Sequence, residues 1–213
     1  MTEDVAEDPV EVAGGLDALI AARRSRIEQL RALGREPFPS RSERSHGTAD
    51  AAAAFGVLEA AGASDGPAGV MLAGRLVGAI RRFGGSAFVH LQDGQGQLQL
   101  HLRRNLLGEA AYAQFLDLFD IGDFVNARGT VFRTKTGEVS LAVDAIHMLA
   151  KSLRPLPEKW HGLQDVETRF RQRYLDLITS DEARARFVKR SRILSAMRRF
   201  LDERGFIEVE TPV

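Results

Sequence analysis

Two stretches of this sequence, Ser86–Gln92 (SAFVHLQ) and Gln97–Arg103 (QLQLHLR), alternate with period two. In a strand, successive side chains then point to opposite sides. Ala87, Val89 and Leu91 form one set of the first stretch, and Leu98, Leu100 and Leu102 form its counterpart in the second. The opposite sets are Ser86, Phe88, His90 and Gln92, then Gln97, Gln99, His101 and Arg103. Phe88 is the odd member of a polar face. A ring in that setting is suited to stack on a nucleobase, a contact worth roughly 1–3 kcal/mol. Neighbouring glutamines carry both donor and acceptor and can discriminate base edges. The alternative, that Phe88 packs under a helix or another domain, stays open on pattern alone. His90 and His101 share the face as a conceivable metal pair, but no carboxylate or cysteine completes a set. No metal site is assigned.

These side chains need a barrel to hold them. Val70–Ala79 reads as a first strand, before the two alternating ones, which Gly94-Gln95-Gly96 joins by a tight turn. Leu106–Phe119 reads as a helix, Phe124–Thr134 as a fourth strand and Glu138–Leu149 as a fifth, with Lys135-Thr136-Gly137 as a turn. Three strands, a helix and two strands is the order of the oligonucleotide/oligosaccharide-binding (OB) barrel. Such barrels bind on this face and through the loops joining strands 1–2 and 4–5. Arg81 and Arg82 fall in the first loop, and Arg133, Lys135 and Glu138 at the second.

Residues 1–15 hold five acids and no base, and read as a disordered acidic tail rather than a secretory signal. Residues 16–65 read as an N-terminal helical segment and connector. Leu16–Leu33 follows helical spacing through Leu16, Leu19, Ile20, Ile27 and Leu30, and Gly34 stops it. Arg23, Arg24, Arg26 and Arg31 crowd its remaining surface, either as a solvated face or as a phosphate-contacting helix. Glu36–Thr48 is a Pro/Ser-rich connector, and Ala51–Ala61 reads as a short Ala-rich helix. Residues 66–150 form the barrel domain and 151–213 a further unit. In the latter, Lys151–Gly162 is a linker stiffened by Pro155 and Pro157. Asp165–Ile178 reads as one helix, Asp181–Arg204 as another, with Thr179 and Glu182 as a capping box and Gly205 just past its end. Phe206–Val213 begins a strand.

The whole-chain charge is zero, but residues 16–35 are net +3 and residues 151–213 net +4. A neutral chain can thus still present a polyanion-binding face. At 44% hydrophobic and 27% charged residues, wholesale disorder is excluded. Cysteine is absent, which excludes disulfides and thiolate chemistry. No apolar run reaches the roughly 18 residues of a membrane span, and the expected location is the cytoplasm.

The stretch KSLRPLPEKWHGLQDVETRFRQRYLDL (Lys151–Leu177), together with RTKTGEVSL (Arg133–Leu141) and FVHLQDGQGQLQL (Phe88–Leu100), resembles the lysyl-tRNA synthetases of class II. RYLDL alone would suit the aspartyl and asparaginyl enzymes as well; the linker and the RTKTGE turn point to lysine. The resemblance implies a mainly β plus α fold: an N-terminal helix, a five-stranded OB-fold barrel that binds the anticodon, and the first helices and strand of an incomplete class II α+β catalytic domain. It places Arg75, Phe88, Gln99 and Glu138 where the family reads the anticodon. There Phe88 stacks on the central uridine, Gln99 hydrogen-bonds it and Glu138 reads the third base. The Arg75–Phe88 interval is one residue longer than the usual pattern, around Phe83-Gly84-Gly85.

SRILSAMRRFLDERGFIEVETPV resembles the family's motif 1, which builds a homodimer interface and ends at Pro212. The implied partners are tRNA(Lys) and a second subunit, with no membrane. The family's ATP- and lysine-binding motifs 2 and 3 lie downstream of motif 1 and are not in this sequence. The expectation is an N-terminal portion with no catalytic residues of its own, ATP and Mg2+ serving the full-length enzyme. A stand-alone OB-fold RNA-binding module derived from a synthetase is the alternative. A lysyl-lipid-forming fusion paralogue would require membrane spans upstream.

Overall fold

The computed structural model describes residues 15–157 and 165–212. The tail expected over 1–15 (apart from Gly15) and residues 158–162 of the linker lie outside them. The chain divides into two compact units, Met1–Pro155 and Leu156–Val213.

In the first unit, α1 (Gly15–Ala32) and α2 (Thr48–Ala60) precede β1 (Val70–Phe83), β2 (Ser86–Gln92) and β3 (Gln97–Arg103). Then come α3 (Arg104–Leu107), α4 (Glu109–Leu118), β4 (Phe124–Arg133) and β5 (Val139–Ala150). The five strands close into a barrel in the order β1-β2-β3-β5-β4. β3 runs parallel to β5, and the other neighbours are antiparallel. The fold is the OB barrel. The apolar sets of β2 and β3 are buried as the alternation requires, and with Leu72, Leu76, Val125, Val131, Leu141 and Val143 they fill the interior. Phe55 of α2 and Tyr112 and Phe115 of α4 pack into the same core.

Two elements differ from expectation. β1 is four residues longer than Val70–Ala79. It pairs with β2 at Val77↔His90 and again at Arg81↔Phe88, with a bulge between them. Gly78 enters that bulge at φ +79°, in the left-handed region open to glycine. Beyond the bulge β1 continues to Phe83, so Arg81 and Arg82 lie in a strand, not in a loop. The single helix expected over Leu106–Phe119 is broken in two by Gly108 at φ +90°.

α2 is held to the β2–β3 turn. Asp93 accepts from the Thr48 amide (2.9 Å), the Thr48 hydroxyl (2.6 Å) and the Gln95 and Gly96 amides (2.8 and 3.1 Å). Burial would raise the pKa of this carboxyl, but the four donors more than reverse it and hold it below the ordinary value.

A buried ionic network ties α1, the α4–β4 connection and the chain leaving β5. Lys151 Nζ donates to Leu118 O (2.7 Å), Asp120 Oδ2 (2.5 Å) and Asp123 Oδ2 (2.7 Å). Arg26 grips both Asp120 oxygens at 2.7 and 2.8 Å. Arg23 donates to the carbonyls of Ser152, Arg154 and Ile121. Burial pushes Asp123 above the ordinary carboxylate range despite Lys151. At Asp120 burial is outweighed by Lys151, Arg26 and Arg23, and its pKa falls.

In the second unit, α5 (Val166–Arg171), α6 (Arg173–Thr179) and α7 (Asp181–Asp202) replace the two expected helices. The break at Gln172 (φ −113°, ψ 54°) splits Asp165–Ile178. Arg169 and Arg173 both pair with buried Asp176, at 2.8 and 2.6 Å, chiefly lowering its pKa through the Arg169 hydrogen bond. Ser180, not Thr179, caps α7 by accepting from the Ala183 amide (3.1 Å), while the Thr179 hydroxyl bonds back to Leu175 O. Gly205 takes φ +80° just past α7, as expected. Phe206–Pro212 forms no ladder, because a strand needs a neighbour to satisfy its backbone.

Candidate nucleic-acid interface

The outward sets of β2 and β3 meet in register: Phe88 opposite His101, and His90 opposite Gln99. Three zones result along the face.

At one end the Phe88 ring stacks on His101, with centroids 4.2 Å apart and planes 14° apart. Phe83 meets Phe88 edge-on at 6.1 Å, and Phe132 lies 5.8 Å from His101. Phe88 is partly buried, and what covers it is this aromatic row on its own face. Burial, helped by the nearby Arg103 charge, lowers the His101 pKa from its ordinary value, which favours the neutral ring. Its Nε2 lies 3.3 Å from Ser86 Oγ.

In the centre, Glu138 joins two strands. Its Oε1 lies 2.8 Å from His90 Nε2, and its Oε2 accepts from Gln99 Nε2 at 2.6 Å. Ser140 Oγ donates to Gln99 Oε1 at 2.8 Å. The Gln99 amide is therefore oriented from both sides, with one N–H and one lone pair left over for a ligand. The turn before Glu138 is fixed by Thr134, whose amide donates to Glu138 O (2.9 Å) and whose hydroxyl accepts from the Glu138 amide (3.0 Å).

Toward the other end, Arg75 pairs with Gln92 on β2 and Phe124 on β4. Its guanidinium lies 4.2 Å over the Phe124 ring and donates to Gly122 O at 2.9 Å. Burial lowers its pKa, an effect partly offset by Asp123.

Phe88, Gln99 and Glu138 are thus brought together, whereas Arg75, on β1, is engaged by Phe124 and Gly122 instead. The arginines read as backbone contacts separate. Arg23 is a correction: it is buried, 8% exposed, and its guanidinium is occupied by three backbone carbonyls, so it ties the fold together. Arg24 is exposed on α1. Arg82 points with the inner register and donates to Leu116 O of α4 at 3.3 Å. Arg81 lies opposite Phe88 and has no hydrogen-bond or ion-pair partner among the described residues. Arg133 forms a two-pronged pair with Glu59 (2.6 and 2.7 Å), whose hydrogen bond pushes the Glu59 pKa down and that of Arg133 up. Lys135 is exposed in the β4–β5 turn. Pro212 is exposed near the end of the second unit.

The two histidines do not converge: His90 serves Glu138, and His101 serves Phe88 and Ser86. Among the described residues no group of three His, Asp or Glu side chains could hold a metal ion. The pairing of His101 with Phe88, and of His90 with Gln99, follows from counting outward from the Gly94–Gly96 turn. That signal lies in the sequence itself. Phe83 and Phe132 had no such signal, because the bulge and the β3–β5 closure place them.

Comparisons with known proteins find matches to both units of the chain. The OB-fold nucleic acid binding domain of the tRNA anti-codon type matches residues 70–149, and the class II tRNA synthetase domain (D, K and N) matches residues 165–213. A lysine–tRNA ligase of Chloroflexus aurantiacus is 50% identical over 198 residues, covering 93% of this chain and 39% of that protein. Those of Shouchella clausii and Xylella fastidiosa are 48% and 47% identical over 195 and 200 residues, each covering 92% of this chain. The chain spans about two fifths of the length of these relatives, 38% and 39% for the latter two.

Proposed function

The chain belongs to the class II lysine–tRNA ligase family, and from that premise we propose that its barrel binds the anticodon loop of tRNA(Lys) and reads it. The observation that carries this reading is the convergence of Phe88, Gln99 and Glu138 on one face. It sets a stacking ring beside an amide held by Glu138 and Ser140. The central uridine stacks on Phe88 and bonds the free N–H and lone pair of Gln99, and Glu138 reads the third base. Arg75 supports the far end of the same face. Arg24, Arg81 and Lys135 supply phosphate contacts, with Arg82 and Arg133 contributing where their internal partners release them.

In the full-length protein, lysine and ATP would give lysyl-adenylate and then lysyl-tRNA, with Mg2+ balancing phosphate charge. Among the described residues no group of three His, Asp or Glu side chains could hold a cation by itself. Activation of lysine is placed in the part of the family's length that this chain does not span. α7 and the segment running to Pro212 are assigned to subunit pairing. No helix of the described residues is long and apolar enough to cross a membrane, and the reading places the protein in the cytoplasm.

The test is Gln99→Ala titrated with stem-loops that differ only at the central anticodon base. Preference for uridine should narrow more than overall affinity falls. Equal losses on every stem-loop would contradict the role given to Gln99.

A further inference from the structure

The β1–β2 hairpin tip carries an aromatic ring that the reading above leaves unused. Phe83 is 62% exposed, more open than Phe124, the other exposed ring of the barrel strands, at 38%. Its register partner is Ser86, and Arg81 pairs with Phe88, so Phe83 and Arg81 share the outward face with Phe88. The two phenyl rings meet at 66°, edge to face, which leaves Phe83 a ring face that Phe88 does not use. The tip is anchored, because the Arg104 amide donates to Gly85 O at 2.9 Å. A ligand stacking there therefore spends little on ordering the protein. Arg81 stands next to both rings with no partner among the described residues, a cation placed for a phosphate.

We infer that Phe83 is a second stacking platform, taking the first anticodon nucleotide, with Arg81 on its phosphate. The assignment to that nucleotide rests on the anticodon reading and on the order of residues along β2. Ser86, Phe88 and His90 succeed one another on the outward face, so Phe83 lies on one side of Phe88 and the His90–Glu138 pair on the other. With the central base on Phe88 and the third at Glu138, the remaining direction leads to Phe83. Single-stranded RNA is commonly held by successive bases stacking on aromatic side chains of one sheet. A ring whose work was only to support Phe88 would also sit edge-on, and the experiment separates the two.

The 213-residue chain is titrated at fixed salt with a fluorescent UUU anticodon stem-loop and with the same RNA made abasic at the first anticodon position. Phe83→Ala should weaken binding of the intact RNA roughly five- to hundredfold and leave binding of the abasic RNA unchanged. Phe83→Trp should retain binding of the intact RNA. Equal loss on both RNAs, or no loss on the intact one, overturns the inference. The underlying reading has its own controls in the same experiment. If the unaltered chain fails to prefer UUU over GUC, or Phe88→Ala has no effect, the anticodon reading falls and the assignment of Phe83 falls with it. If those controls hold and Phe83→Ala fails, only the second platform is lost.

Discussion

The outward face of the barrel and the outward face of α7 treat exposed side chains in opposite ways. On the barrel, the side chains at the centre of the proposed reading face are oriented by neighbours: Gln99 by Glu138 and Ser140, Glu138 by His90 and Thr134, Phe88 by His101. On α7, Phe187, Val188, Ile193, Leu194, Met197, Phe200 and Leu201 are all exposed, and Phe206, Ile207 and Val209 follow. The first face is finished before a ligand arrives. The second displays apolar surface at a density that marks an interaction site. Preorganised polar groups suit recognition of a small set of atoms, because little ordering is left to do on binding. A broad apolar stripe suits burial against another protein surface.

Four changes would break or sharpen that contrast. The largest effect is expected at Lys151→Ala, which strands buried Asp123 without its cation and leaves Asp120 to Arg26 and Arg23. Loss of one partner of a buried ion pair costs about 3–5 kcal/mol, so the urea midpoint of the barrel should fall steeply. An unchanged midpoint would mean that the network is not structural. Next, Phe88→Ala should cost about 1–3 kcal/mol of stem-loop binding while the urea midpoint holds. Unfolding would make Phe88 a core residue and remove the basis for a finished reading face. Smaller again, Leu194→Ala on α7 should change the stability of the 213-residue chain by no more than about 0.5 kcal/mol, because the side chain is 43% exposed. A large loss would show that α7 is already covered.

The smallest effect concerns pH. The folded-state pKa of His101 lies below its ordinary value, so the unfolded chain takes up a proton first as pH falls. Its contribution to stability is complete above the unfolded pKa of about 6.5 and is lost as pH falls through the lowered folded value. Thermal unfolding scans should therefore show a decline in that window that His101→Gln reduces. An identical decline in the variant would assign it to other groups.

Much of the reading face was legible because a strand's side-chain period is two. Phe88 and Gln99 stood out by alternation alone, and the Gly94–Gly96 turn encoded their cross-strand partners. Arg23 was not legible. Its spacing on α1 fits a solvated face, and its partners lie 98 to 131 residues away in sequence. The acids of that network carry no distinguishing signal in the sequence for the same reason. The bulge at Gly78 and the break at Gly108 were missed because hydrophobic periodicity does not register a glycine that changes direction. Arg75, and the base-reading role of Glu138, entered only through the family resemblance. Tertiary closure put Glu138 beside Gln99, and it set Arg75 on Phe124 instead.

The most direct test of the central claim is a titration of the unaltered chain with anticodon stem-loops carrying UUU and GUC, at one stated near-physiological salt concentration, since phosphate contacts depend strongly on salt. The account predicts clear preference for UUU from residues 1–213 alone. Equal affinity for the two stem-loops would contradict it, leaving the barrel with phosphate attraction and no reading of the bases.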